Sequence, residues 1–256
     1  MYGVQAYSLS WRKLKKRLII SRMKLTREQL ISRFSKTSKE NRVLSGLDGS
    51  RGRTNGDNSY VNDDASIKGS TYFANNKEMS TETLVPAAVL VPLVERENGY
   101  SVLLTRRSMS LSKHAGQISF PGGRIESYDS TPTMAALREV EEEIGVKPDY
   151  IDIIGEMDTY QVRTGFVVFP IVGFISNGFE LKINPKEVEE VFEVPLSFIL
   201  DPKNHHRQGR VFYGAMSYFY VLPYQNQYIW GATAGMLVNL YQILEGQNTL
   251  GKIIKD

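Results

Sequence analysis

The chain contains no cysteine. Disulfides, a thiolate nucleophile, iron–sulfur clusters and thiolate zinc sites are therefore excluded. Histidine is scarce: His114, His205 and His206 are the whole set, too few for a histidine-rich metal centre. No apolar run approaches the ~20 residues needed to cross a bilayer, so no transmembrane segment is expected. Acidic residues are missing from one stretch in particular. Between Met1 and Arg27 there is none, while Trp11, Leu14, Leu18 and Ile19 interleave with Lys and Arg.

What remains is ordinary in bulk and uneven in distribution. The 256 residues are 41% hydrophobic and 23% charged, enough to bury a core as one large domain or two small ones. The net charge of +3 divides sharply. Residues 1–42 carry twelve Lys/Arg against Glu28 and Glu40, or +10, which leaves 19 basic and 26 acidic residues, or −7, for the rest. A nucleic-acid enzyme carries its basic surface on the body, where phosphates are met. This body is acidic, and no nucleic-acid partner is expected.

Two readings of the N-terminus stay open. It is an amphipathic presequence, mitochondrial in a eukaryote, or a membrane-surface helix; or it is a dispensable extension, with Met23 as the true start. Leu25, Leu30, Ile31 and Phe34 suggest one short helix capped by Thr26. From about Lys36 to Glu82, Ser, Asn, Gly and Asp dominate, which reads as a flexible linker. Residues 1–82 are thus expected to be a basic extension plus linker, and 83–256 the folded domain.

Within that domain, Val85–Val94 reads as a buried strand and Tyr100–Thr105 as its hairpin partner across Glu97-Asn98-Gly99. Strands are predicted at 151–160, 166–175, 211–222 and 227–230. A helix is predicted over 186–191, opened by Asn184-Pro185, and another over 232–244. His205-His206 reads as a loop, and Trp230 as core. The fold class is α/β or α+β, a sandwich.

The chemistry concentrates in residues 121–146, PGGRIESYDSTPTMAALREVEEEIGV. Thr131 or Ser130 caps a helix, Pro132 suits its first turn and Gly145 its C-terminal stop. At about 100° per residue, Leu137, Val140 and Ile144 share one face. Glu139, Glu142 and Glu143 share roughly the opposite one, with Glu141 turned toward the apolar side. Carboxylates at helix-neighbour spacing repel, and the C-terminal half of a helix disfavours negative charge. A hard divalent cation reverses that penalty. A solvated acidic face is the competing reading.

The whole string resembles the Nudix box, G-x5-E-x7-R-E-U-x-E-E-x-G-U with U apolar. Arg138-Glu139-Val140-Glu141-Glu142-Glu143-Ile144-Gly145-Val146 matches every defined position of its right half. On the left, Gly123 and Asp129 each sit one residue early, giving G-x5-D-x8-R over about 123–146. That shift is similar to the coenzyme A pyrophosphatase branch, whose second signature lies just upstream: Leu103-Leu104-Thr105-Arg106-Arg107-Ser108, Gly116, then Phe120-Pro121-Gly122-Gly123. Ser112 stands where that branch often has Arg. Further likeness runs through Thr164-Gly165, Glu187-Val188, Phe192–Pro195 and Ile229–Ala234.

The resemblance implies a Nudix-like α/β/α sandwich with a mixed sheet. It implies Mg²⁺ or Mn²⁺ bound by Glu139 and Glu143, with Glu142 as a further ligand directly or through water. Arg138 would orient a carboxylate of the cluster, and Gly122 and Gly123 would let backbone approach metal or phosphate. Arg106, Arg107, Lys113 and His114 are candidates for the extra phosphate of coenzyme A. The implied reaction is hydrolysis of the diphosphate of coenzyme A, a small-molecule nucleotide, to 3′,5′-ADP and 4′-phosphopantetheine. Hydrolysis of other nucleoside diphosphate derivatives, such as NADH or ADP-ribose, is the alternative within enzymes. A non-catalytic binding module is the alternative outside them, although the intact Arg138, Glu139, Glu142 and Glu143 argue against it. A soluble cytoplasmic protein is expected, and a homodimer is left open.

Overall fold

The computed structural model of the chain describes residues 25–36, 43–45, 84–162, 164–212 and 215–245. The basic stretch before Leu25 and nearly all of the polar linker lie outside the described residues.

The apolar run that begins at Val85 becomes β2 (Val85–Arg96), with β3 (Gly99–Arg107) returning beside it across the two-residue turn Glu97-Asn98. On its other side β2 pairs in parallel with β8 (Phe166–Ile175) along its length, from Val85↔Phe166 to Val94↔Ile175. A strand enclosed this way is buried on both faces, which is why its sequence does not alternate. Its two prolines fit because of parity. Leu90 donates its N–H to Pro121 O, away from β8, and Pro86 accepts Ile125 N–H on that same side. The donors missing at Pro86 and Pro92 therefore face away from the parallel ladder and cost it nothing.

The large sheet continues with β1 (Val43–Ser45), β4 (Ile118–Ser119), β5 (Gly122–Arg124), β6 (Ile151–Glu156), β7 (Thr159–Val162) and β9 (Val188–Pro195). Its path runs β1-β7-β8-β2-β3-β4, with β5 on β2, β6 on β8 and β9 on β3. A second sheet has the order β10 (His206–Phe212), β11 (Ala215–Tyr224), β12 (Gln227–Trp230). Among the described residues, the α-helices are α1 (Arg27–Lys36), α2 (Pro132–Ile144), α3 (Leu196–Ile199) and α4 (Gly231–Leu244).

Two cores lie on the two faces of the large sheet. Ala88, Leu90 and Val94 of β2 pack with Ala135, Ala136, Val140 and Ile144 of α2. The alternate residues Ala87, Val91 and Leu93 join a core shared with Ala234, Leu237 and Leu240 of α4. Helix, mixed sheet and helix make the layered sandwich expected from the sequence.

Three expectations change. Residues 186–191 are not a helix. Asn184 makes a single turn, its O accepting Glu187 N–H at 3.0 Å and Val188 N–H at 2.9 Å, and the β-branched run that follows pairs with β3. The strand expected over 211–222 is two strands, β10 and β11, and His206 opens the first of them. His205 stays in the loop before β10, as expected, with its Nε2 2.7 Å from Ile199 O and its ring packed on Tyr241.

Third, the packed body begins before residue 83. Thr26 and Gln29 cap α1 reciprocally, Thr26 N–H to Gln29 Oε1 at 2.9 Å and Gln29 N–H to Thr26 Oγ1 at 3.3 Å. Leu30 and Phe34 are buried in the α4-side core, and Arg27 pairs with Asp152 while lying over the Phe174 ring.

Candidate active site

The ends of α2 fix its rotation. Thr131 accepts the Met134 N–H at 3.2 Å, Pro132 occupies the first turn, and Gly145, at φ +75°, donates to Glu141 O at 3.0 Å. With Val140 and Ile144 against the sheet, Glu143 is drawn inward to 3% exposure. Glu141 is fully on the solvent side and Leu137 is only half-buried, so the expected inward turn belongs to Glu143 and not to Glu141.

Glu143 ends against backbone. Its Oε2 accepts the Gly122 N–H at 3.1 Å, and its Oε1 stands 3.9 Å from an Arg107 guanidinium nitrogen. The two glycines of the Gly122-Gly123 pair make room in different ways, against backbone at Gly122 and against a side chain at Gly123. A Cβ on Gly122, at φ +152°, would lie 2.4 Å from Ala88 O, because β5 is pressed onto β2. A Cβ on Gly123 would lie 2.4 Å from the carboxylate carbon of Glu139. The second glycine opens the space that Glu139 fills.

Arg138 organises the polar flank of α2. It grips Asp129 with two parallel hydrogen bonds, Nε to Oδ1 at 3.1 Å and Nη2 to Oδ2 at 2.9 Å. Nη2 also donates to Arg124 O at 3.0 Å, and Nη1 donates to Glu139 Oε1 at 2.7 Å and to Glu142 Oε2 at 3.2 Å. These bonds hold the Asp129 carboxyl below its ordinary value. The early Asp of the shifted box is therefore the anchor of the arginine, and the arginine in turn sets the Glu139 carboxylate.

Glu187 is the residue that sequence reasoning left without a role. Glu139, Glu143 and Glu187 each offer an oxygen within 4.8 Å of the others. Glu142 is not in that group; its side chain is 53% exposed and turned to Arg138. Glu187 arrives from the turn before β9, where its O accepts the Ser108 N–H at 2.9 Å and Asn184 Nδ2 lies 3.3 Å from its Oε1. The sequence signal was thin: one glutamate after an Asn-Pro turn, 44 residues beyond Glu143.

The electrostatics are those of a site short of positive charge. Burial pushes Glu143 up to about 8 from 4.5, more than the Gly122 bond and Arg107 pull it down, and Glu139 and Glu187 add to the rise. Burial also raises Glu139, against the opposing pull of Arg138. Three converging carboxylates, one buried, fit a cation better than they fit one another. An all-oxygen set is the hard-donor chemistry that Mg²⁺ or Mn²⁺ takes.

The basic candidates separate. Arg106 is engaged on the other side of β3, with Nε 3.2 Å from Glu190 Oε2, Nη1 3.4 Å from Gly116 O, and Nη2 bonded to Gln227 of β12. Arg107 faces the carboxylates. His114 sits exposed at φ +58° with Nδ1 2.9 Å from Gln117 Oε1, inside its own loop, and Lys113 beside it is exposed. Among the described residues, no helix is long and apolar enough to cross a membrane.

Comparison with known proteins identifies the family. The NUDIX domain family model matches residues 84–213. The Nudix hydrolase NudL of Enterobacter sp. (strain 638), itself uncharacterised, is 40% identical over 154 residues, covering 60% of this chain and 80% of that protein. NudL of Escherichia coli (strain K12) is 38% identical over 154 residues, with the same coverage. A solved MutT/nudix family protein from Enterococcus faecalis superposes with a TM-score of 0.44 at 16% identity, covering 67% of this chain and 66% of that one. The chain belongs to the Nudix hydrolase family, enzymes acting on the diphosphate bond of nucleoside diphosphate derivatives.

Proposed function

We propose that the protein hydrolyses the diphosphate of coenzyme A and its thioesters, releasing 3′,5′-ADP and 4′-phosphopantetheine or its acylated form. We further propose that Glu139, Glu143 and Glu187 hold Mg²⁺ or Mn²⁺. A bound divalent ion supplies charge neutralisation at the phosphate oxygens and acidifies a coordinated water.

The observation that carries this reading is a meeting of two sequence signatures. The upstream segment Leu103–Gly123 touches the box carboxylates at both of its ends: Arg107 stands 3.9 Å from Glu143, and Gly122 donates to that same carboxylate at 3.1 Å. Ser108 N–H holds the backbone of Glu187 from the same segment. A signature that resembles the coenzyme A branch therefore borders the metal-binding carboxylates rather than a remote surface.

In this reading the chain's own groups have distinct tasks. Arg138, locked by Asp129, keeps the Glu139 carboxylate aimed at the cluster, and the Gly122 N–H keeps Glu143 aimed there. Gly123 leaves room for Glu139. The body outside residues 1–42 is acidic, so a polyanionic substrate depends on the bound cation and on local arginine to enter.

The test is a substrate panel with the full chain in Mg²⁺ and in Mn²⁺, comparing coenzyme A, acetyl-coenzyme A, NADH and ADP-ribose with products identified by mass. Higher kcat/KM for the two coenzyme A substrates supports the proposal. Equal or better turnover of NADH or ADP-ribose would replace it with a broader nucleoside diphosphate hydrolase.

A further inference from the structure

We infer that Arg107 contacts the scissile diphosphate itself, next to the carboxylate cluster, and not the distant 3′-phosphate of coenzyme A. The inference rests on the reading of the site as one for a nucleoside diphosphate derivative, and it assigns unequal roles to two adjacent arginines that the sequence cannot tell apart.

Arg106 and Arg107 end β3 at a register break. Arg106 pairs with Glu190 of β9, and Arg107 pairs with Val188, so the partner strand contains one extra residue there. Strand alternation sends the two side chains to opposite faces. Arg106 spends its donors on Glu190, Gly116 O and Gln227. It is a clamp between the large sheet, the loop before β4 and the second sheet, with little left for a ligand.

Arg107 is the reverse case. Its backbone is fixed by the loop before β4, N–H donating to Gln117 O at 2.9 Å and O accepting Gly116 N–H at 3.0 Å. Its side chain is nevertheless under-used. Nη1 reaches Glu143 Oε1 only at 3.9 Å, beyond hydrogen-bond range, and Nε is buried with no partner. A guanidinium carries five donors in a rigid plane that matches phosphate oxygens. A buried donor left unmet is unfavourable in the resting protein and is satisfied when an acceptor arrives.

The position limits which acceptor that is. Arg107 stands 3.9 Å from a carboxylate of the metal-binding group, so a phosphate touching it also lies beside the metal. That describes the diphosphate undergoing cleavage. The 3′-phosphate projects from the ribose, away from the bond that breaks.

The experiment compares wild type, Arg107→Ala and Arg107→Lys on coenzyme A and on 3′-dephospho-coenzyme A. The expected result for Arg107→Ala is a fall in kcat/KM of about 10- to 100-fold, the range for a lost hydrogen bond to a charged group, and the same fall on both substrates. Arg107→Lys, which keeps the charge and should fold where the alanine variant does not, should recover part of the loss equally on both. Mn²⁺ affinity measured by calorimetry should stay at or above that of wild type, since a positive charge near Glu143 has gone. A loss confined to coenzyme A would assign Arg107 to the 3′-phosphate and overturn the inference. So would unchanged kinetics, or a loss of Mn²⁺ affinity as large as the loss of turnover. If the wild-type protein cleaves ADP-ribose and neither coenzyme A substrate, the proposed function fails while Arg107 is judged on ADP-ribose, where the same fall is expected.

Discussion

Glu143 lies almost wholly out of water and accepts the N–H of Gly122, a residue 21 positions earlier, at 3.1 Å. That bond ties the helix carrying the acidic cluster to the strand carrying the glycine pair. It also aims a charge into a place where charge is disfavoured. Glu143→Gln keeps the volume and removes the charge. It should lower kcat by orders of magnitude while leaving the circular dichroism spectrum unchanged, and Glu139→Gln should do the same. Glu141→Gln, on the exposed side of α2, should stay near wild-type rate. Equal damage at Glu141 in the same assay would contradict the assigned rotation of the helix.

The raised Glu143 makes the metal-free protein sensitive to pH. Its ordinary value of 4.5 applies to the unfolded chain, and burial lifts it to about 8 in the folded one. Below pH 4.5 both states hold the proton and the contribution to stability is complete. Between 4.5 and 8 the unfolded chain releases a proton that the folded chain retains, so stability falls as pH rises. In EDTA, Tm should therefore decline from pH 5 to pH 8 in wild type and decline less in Glu143→Gln. Added Mn²⁺ should raise Tm most at the upper end of that range. A wild-type Tm that climbs with pH in EDTA, with Glu143→Gln removing the climb, would contradict the burial argument.

Gly123 offers a steric test of the Glu139 position. Gly123→Ala would put a methyl group 2.4 Å from the Glu139 carboxylate carbon. The helix is held independently by its caps, so the carboxylate should move and the fold should stay. Activity should fall steeply at low Mn²⁺ and recover in part at high Mn²⁺, read from metal titrations of the rate. Wild-type metal dependence in this variant would show that Glu139 does not need the space.

The N-terminal boundary changes the behaviour expected of truncations. A chain beginning near Thr83 loses Leu30 and Phe34 from the α4-side core. Each buried side chain of that size contributes about 1.5–3 kcal/mol. Such a loss corresponds to a Tm lower by roughly 10 °C for a domain of this size. A chain beginning at Met23 keeps α1 and should retain both Tm and kcat. Equal melting of the two truncations would return the boundary to residue 83.

Much of the site is legible in the sequence itself. The helix 132–144 announces itself by a cap, a proline, a glycine stop and 3.6-residue spacing, all of which are local. Arg138 and the glutamates follow from it by rotation. Glu187 was hidden because it reaches the cluster only through the pairing of β9 with β3, and the local Asn-Pro turn looked like the start of a helix. The unequal fates of Arg106 and Arg107 depend on strand alternation and a register break, which identical side chains cannot reveal. Helix α1 was readable as a helix, but its docking was not. Two apolar residues in a polar setting do not say which surface will take them.

Metal binding at this site turns most directly on the identity of the third carboxylate. The decisive measurement is the Mn²⁺ concentration giving half-maximal coenzyme A hydrolysis in wild type, Glu187→Gln and Glu142→Gln. With Glu139, Glu143 and Glu187 converging within 4.8 Å and Glu142 turned to Arg138, Glu187→Gln should need far more Mn²⁺ or be inactive. Glu142→Gln should stay much closer to wild type. The reverse order, or hydrolysis that persists with the metal stripped away, would contradict it.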